Sequence, residues 1–480
     1  MTTDKTRPVD LAFRGTLGLG LLGMALFSLS PLGINVVVWL LTLGVITARA
    51  AAIVGAPLTR VEVACLGSAL VGALGLTSRM SPILSLLNVG MIFTSLIMVA
   101  MSRLSPSGSN VFLGTVFRRA FGAIIRFGFG CLRLFAKDVV WTAESSQHPL
   151  SRGQIAARGL LLAAPLVTIF CFLFANADPA FAAILARIVD LSLEEVWSMV
   201  VTFGFTTWFA GGLLRNYLVA GKLSFQPPKI RTKGIGSAEL NTALIMVNFL
   251  FLSFVIVQIR YLFGGADLVA LDPRLTYATY AREGFFQLVV VAVLVLPMLL
   301  VMDWSLAPNA PRKWFRSLSL LLLLLLSVVM ISALRRMWLY QAEYGQTELR
   351  FYVVAFIGWL GLVSVWLAAT VLRGRAERFG LGVIALSLVT VPVLNLVNPD
   401  GWILRQNIDR ISAGKSFDAE YAGSLSVDAV PVWAGLREKM PEADSMTLSC
   451  AFAKQNDDDA DLRGWNYGRW VAAKLLDRRD

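Results

Sequence analysis

Apolar stretches long enough to cross a bilayer recur along this chain from Leu11 to Val397. A hydrocarbon core about 30 Å thick is crossed by about 20 apolar residues of helix. Inside it no water serves the backbone, so spanning segments are helices or strands of a closed barrel. The runs here are continuous rather than alternating, as in the unbroken leucines from Leu320 to Leu326. That pattern selects helices, because barrel strands alternate apolar and polar positions. The chain therefore reads as an all-α, polytopic transmembrane bundle.

The segments fall at about 11–30, 32–48, 61–78, 83–101, 159–176, 197–219, 240–263, 284–302, 317–339, 351–372 and 380–397. They predict about eleven spans, within a range of ten to twelve. The first two are short and glycine-rich, with Pro31 between them, and read either as two spans or as one re-entrant pair. Four regions follow. Residues 1–101 hold the N-terminal hydrophobic segments, 102–158 a basic loop with an amphipathic helix, 159–398 the membrane core, and 399–480 a polar tail. Apolar anchors in the tail are sparse, which predicts short helices on the membrane surface rather than an independent domain.

Hydrophobic residues make up 56% and charged residues 15%, with a net charge of +12. A basic balance of this size raises nucleic acid as a partner. Here the positive residues collect in alternate loops, which points to membrane topology and anionic headgroups instead. One set of loops carries Arg49 and Arg60, then Arg118 to Arg158, Lys222 to Lys233, Arg312 to Arg316, and Arg373 to Arg378. The other set carries most of the loop acids, including Asp178, Glu194, Asp272, Glu343 and Glu348. This alternation predicts a cytoplasmic N-terminus and a C-terminal tail on the outer face.

Within the basic loop, Arg119, Arg126, Arg133 and Lys137 share one helical stripe. Phe121, Ile124, Ile125, Leu132, Phe135 and Val139 share the opposite one. That is the pattern of a helix lying in the membrane interface, with its basic stripe toward headgroups. Docking of a soluble protein partner is the alternative use of such a stripe.

Polar chemistry concentrates at four places: Asp178; Arg260 with Tyr280 and Arg282; Arg335, Arg336, Tyr340, Tyr344, Thr347, Glu348 and Arg350; and Asn398, Asp400 and Asn407. The loop alternation assigns all four to the outer face, where they form a candidate ligand cluster. Arginine forks suit phosphate or carboxylate, while the aromatic residues equally suit an interfacial belt. The four cysteines form no CxxC pair and the single histidine, His148, lies in a polar loop, so neither a zinc site nor histidine-based catalysis is expected. No cofactor is implied, and no catalytic residue can be named.

The strings QIRYLFGG, TYATYAREGFF, RRMWLYQAEYGQTELRFY, NPDGWILRQNIDR and LSVDAVP lie between Gln258 and Pro431. They resemble a bacterial family of multi-pass membrane proteins defined only as a domain of unknown function. The resemblance runs from about Leu160 to the end, on a YGxTExR pattern and an NPD pattern. It implies a bacterial inner-membrane protein and brings no activity. Three functions fit these readings: sensing or transport of a small anionic or lipid-like ligand; a membrane-embedded transferase using Asp178, Glu348 or Asp400 as base; and a scaffold recruiting a partner. Membrane lipids are the expected partners, with no nucleic acid.

Overall fold

The computed structural model describes residues 3–102, 193–219, 234–270, 285–307, 310–456 and 461–477, most of 122–139, and scattered positions within 163–178; for 3–7 and 258–270 it describes the backbone. Among these residues there is no strand beyond an isolated bridge between Ile235 and Leu306. The helices are α1 (Thr3–Phe27), α2 (Ile34–Ile53), α3 (Arg60–Ser78), α4 (Pro82–Ser102), α5 (Leu193–Leu218), α6 (Ser237–Ala270), α7 (Phe285–Ser305), α8 (Lys313–Tyr344), α9 (Glu348–Thr370) and α10 (Phe379–Val397). Ten helices among the described residues are long and apolar enough to span a membrane, and they coincide in order with ten of the eleven expected segments. The eleventh, 159–176, falls mostly outside the described residues. The first two segments are separate helices of 25 and 20 residues, each long enough to cross on its own.

One bundle gathers α1 to α5. Lipid is as apolar as leucine, so helices inside a membrane associate through close packing rather than hydrophobic exclusion. Glycine permits that approach on α1: a β-carbon at Gly20 would lie 2.0 Å from Thr207, and one at Gly23 2.4 Å from Thr206. Phe209 of α5 packs edge-to-face on Trp39, Phe93 and Phe127, with ring centroids 4.8 to 5.8 Å apart. The Trp39 indole N–H, buried there, donates to the Leu19 carbonyl at 3.0 Å.

The described part of the basic loop joins this bundle. Residues 127–133 are helical and run into a π-turn at Leu134–Asp138. Phe127 and Leu134 are buried against α5, and Trp208 donates to the Gly128 carbonyl at 2.7 Å. Gly130 meets Gly212 backbone to backbone, and Asp138 forms an ion pair with Arg215. Ile124, Ile125 and Leu132 face outward, as do Arg133 and Lys137. Arg119 and Arg126 lie outside the described residues.

A second bundle gathers α6 to α10 around Phe285, Phe315, Leu322, Leu326, Val329 and Leu367. Asn248 of α6 donates to the Leu318 carbonyl of α8 at 3.1 Å, a polar clasp between two apolar helices.

Residues beyond Val397 do more than lie along a surface. The helices α11 (Pro399–Ile411), α12 (Ala419–Gly423), α13 (Val430–Leu436), α14 (Glu442–Asn456) and α15 (Tyr467–Leu476) enclose a core of Ile403, Leu404, Ile408, Trp433, Leu448 and Phe452. The apolar residues are few, but helical spacing places them on inward faces, and they converge. Asn398, Asp418 and Asn466 each cap a following helix through a side-chain oxygen, which satisfies N–H groups otherwise without a partner.

This cap sits on one end of the membrane helices. Asn407 clamps the α8–α9 turn, accepting from the Gln346 N–H at 2.7 Å and donating to the Gln346 carbonyl at 3.0 Å. The Asn407 pair is buried, and removing one side leaves both Gln346 groups unserved, at about 1–3 kcal/mol each. Asn407→Ala is therefore expected to raise the rate of limited proteolysis within 399–477 by at least about tenfold. An unchanged cleavage rate in detergent or bilayer would show that the clamp does not hold the cap.

Candidate functional site

The cap is fastened where helices end, because the first N–H and last C=O groups of a helix have no internal partner. Arg463 donates to the Ala25 carbonyl at 2.8 Å, and the Ile34 N–H at the start of α2 donates to the Trp465 carbonyl at 3.1 Å. Asn466 donates to the Leu76 carbonyl near the end of α3 at 2.8 Å. The Met80 and Ser81 N–H groups, entering α4, donate to Asp428 Oδ2 at 2.7 and 3.1 Å. Arg410 donates to the Ala342 and Glu343 carbonyls at 3.3 and 2.6 Å, closing α8. The Glu348 N–H, opening α9, donates to the Tyr421 hydroxyl at 2.8 Å. Leu29 donates to the Ser198 hydroxyl at 3.0 Å, which brings the start of α5 to the same end.

Much of the expected cluster is consumed by this fastening. Arg350 lies over the Tyr340 ring at 4.2 Å and donates to the carbonyls of Tyr344 and Gly345. Gly345 itself has φ +77°, a positive backbone angle that glycine adopts without steric cost, at the end of α8. Thr347 caps α9 by accepting from the Arg350 N–H. Asn398, also left-handed at φ 53°, accepts from the Gly401 N–H and donates to the Asp428 carbonyl at 2.8 Å. Tyr340, Tyr344, Thr347, Glu348, Arg350, Asn398, Asp400 and Asn407 thus belong to one junction. Arg336 is half-buried in the last turns of α8. Asp178 is exposed at the end of a helical turn. The Arg260 side chain, Tyr280 and Arg282 lie outside the described residues.

Two features of the junction go beyond fastening. The first is a groove of about 960 Å³ between the ends of α8, α9 and α10 and the start of α11. Leu334, Trp338, Phe351, Val397 and Trp402 line it, and Arg335 stands in the wall. Trp402 packs on Phe351 with ring centroids 5.3 Å apart. Arg335 is exposed, with no ion pair among the described residues. A charge near the end of a span is costly unless it reaches water, headgroups or an anion. A different cavity of about 460 Å³, among Phe27, Trp39, Phe205 and Phe209, has no charged lining residue.

The second feature is a buried acid pair. Asp400 is 0% exposed and Asp428 2%. Asp400 Oδ2 accepts from the Ser426 N–H at 3.2 Å and from its hydroxyl. Burial pushes both carboxyls above the usual carboxylate range; the Ser426 bonds partly offset this at Asp400, and the Met80 bond at Asp428. The Arg79 guanidinium favours the ionised form of both. Arg79 is itself fixed by donating to the Asn395 carbonyl at 2.8 Å. Asn395 and Asn88 exchange two amide bonds at 2.9 and 3.0 Å, tying α10 to α4 beneath the acids.

Sequence reasoning singled out Asp400 but not Asp428, Ser81, Arg79 or the Asn88–Asn395 pair. Asp428 lies within LSVDAVP, where one acid flanked by apolar residues is a signal of burial. The Asn pair joins positions 307 apart in the chain, and no local pattern marks it. Among the described residues no group of three or more His, Cys, Asp or Glu side chains could hold a metal ion.

Neither the curated proteins nor the solved structures provide a match. The model of one family, Domain of unknown function (DUF4153), matches residues 66–436. The chain belongs to that family. The match begins well before Leu160, where the sequence resemblance begins, and it includes α4, α5 and the basic loop. It ends at Leu436, so α14 and α15 of the cap lie beyond it.

Proposed function

Starting from membership of this family and from ten helices long and apolar enough to span a membrane, we propose that the protein holds an anionic, lipid-like ligand at its capped end and senses its presence. The observation that carries this reading is the Arg335 groove. It joins an apolar trough to a cation near the end of a span, where an anionic headgroup would meet it. Trp338, 77% exposed, and Trp402 flank it as interfacial tryptophans do. The groove touches both the membrane helices and α11, so a ligand seated in it bears on the packing of the cap.

A transferase reading draws less support from the same geometry. Asp400 is fully buried and tied to Ser426, so its carboxylate meets no ligand in the groove. Arg350, expected as a phosphate holder, is spent on carbonyls.

The test uses the full chain purified in detergent and returned to phosphatidylglycerol or phosphatidylcholine. Native mass spectrometry is expected to show phosphatidylglycerol retained in preference. Arg335→Ala should weaken that retention about tenfold, the worth of one charge-assisted contact. Equal retention of both lipids, or no effect of Arg335→Ala, would end the reading.

We also propose that the capped end faces the outside of a bacterial inner membrane. Arg49, Arg60, Arg312, Arg316 and Arg373 to Arg378 lie at the opposite helix ends, and positive loops favour the cytoplasm. Leu462, 84% exposed on the cap, is the position to label. In a cysteine-free chain, Leu462→Cys is expected to react with an impermeant maleimide in intact cells. Reaction only after permeabilisation would invert the topology.

A further inference from the structure

The hydrogen bonds around the buried acids account for half of each carboxylate. Asp400 uses Oδ2 on Ser426, and Asp428 uses Oδ2 on the N–H groups of Met80 and Ser81. An asparagine oxygen would accept the same bonds without burying charge. The Oδ1 atoms are a different matter: both are buried and neither has a hydrogen-bond partner. The Ser81 hydroxyl, on a residue 0% exposed, is likewise buried and without a partner, as is the Tyr352 phenol oxygen. Ser81 lies between Asp400 and Tyr352 and is a hydrogen-bonding neighbour of both, though at neither does it reach a full, well-placed bond.

Charge makes the arrangement more demanding. Two carboxylates are buried, and Glu348 adds its negative potential at Asp400. Arg79 is the positive group that acts on both aspartates. Arg350 is committed to the α8 carbonyls. A buried charge without compensation costs several kcal/mol. What fits is one further positive charge, small and matched to oxygen donors.

We propose that this junction is a binding site for a single small monovalent cation, Na⁺. Its ligands are Asp400 Oδ1, Ser81 Oγ and Tyr352 Oη, and Asp428 supplies the second negative charge. Magnesium is a poor fit, since it demands a near-ideal octahedron and keeps several waters. The donors come from the α3–α4 turn, α9 and α11, with Asp428 from the loop before α13. Occupancy therefore ties the first bundle, the second bundle and the cap together. The site is separate from the Arg335 groove and does not depend on it.

The experiment is equilibrium binding of radioactive sodium to the full-length protein in detergent, read by scintillation proximity. The expected result is saturable binding with one ion per chain, displaced by unlabelled Na⁺ and not by choline. Ser81→Ala keeps the backbone N–H that serves Asp428 and removes only the hydroxyl; it should weaken binding about tenfold or more. Asp428→Asn keeps the acceptor oxygen and removes only charge; it should weaken binding at least as much. Monodisperse elution and an unchanged rate of cap proteolysis establish that each variant is folded. Arg335→Ala should bind sodium as the unaltered protein does, so failure of the groove reading and failure of this one are told apart. Absence of saturable binding, equal binding by both junction variants, or displacement by Mg²⁺ or Ca²⁺ in place of Na⁺ would each overturn the assignment.

Discussion

Helix ends at a membrane surface must have their backbone groups satisfied, and the architecture of this chain follows from how that is done. A span of about 20 residues satisfies its own interior, but its last carbonyls and first N–H groups remain. In water-exposed loops solvent serves them. Here a folded cap serves many of them, through Asn407, Arg410, Asp428, Arg463, Asn466 and Tyr421. Each bond is modest, about 0.5–1.5 kcal/mol net. Their collective effect is to fix the turns of both bundles against one body.

That fastening explains why the charged residues at this end do not all await a ligand. Arginine competes well for helix-terminal carbonyls, which carry partial negative charge. Arg350 and Arg410 are taken up in this way. Arg335 stands instead in the wall of an apolar trough, and each carboxylate of the buried acid pair keeps one oxygen without a hydrogen bond. The functional readings rest on these two residues of unspent chemistry: a cation beside a lipid-sized groove, and buried carboxylate oxygens beside an unbonded hydroxyl.

The spans were legible because hydropathy is a local property summed over a window. The common face of the YGxTExR and NPD strings was legible too, since alternation of loop charge gives the parity of each turn. The roles of individual residues were not. Asn407 reads as one of several polar positions on a short helix; only the fold shows that it meets Gln346. Thr347 and Asn398 look like ligand groups in the sequence and act as helix caps. The packed core of the cap was underread because Ile403, Leu404, Trp433 and Phe452 are scattered among polar residues, and composition alone does not reveal that their faces converge. The basic stripe, by its spacing alone, reads as an interface helix. Its described part also packs on α5 through Phe127, Gly130 and Asp138, contacts that require knowing which helix lies beside it.

The most direct test of the account is a cryo-electron-microscopy structure of the full chain in nanodiscs containing phosphatidylglycerol. The account predicts density for a lipid in the groove, with its phosphate against Arg335 and its chains along Trp338, Phe351 and Trp402. A well-resolved groove without lipid, or one filled by a protein side chain with Arg335 turned into an internal ion pair, would contradict it.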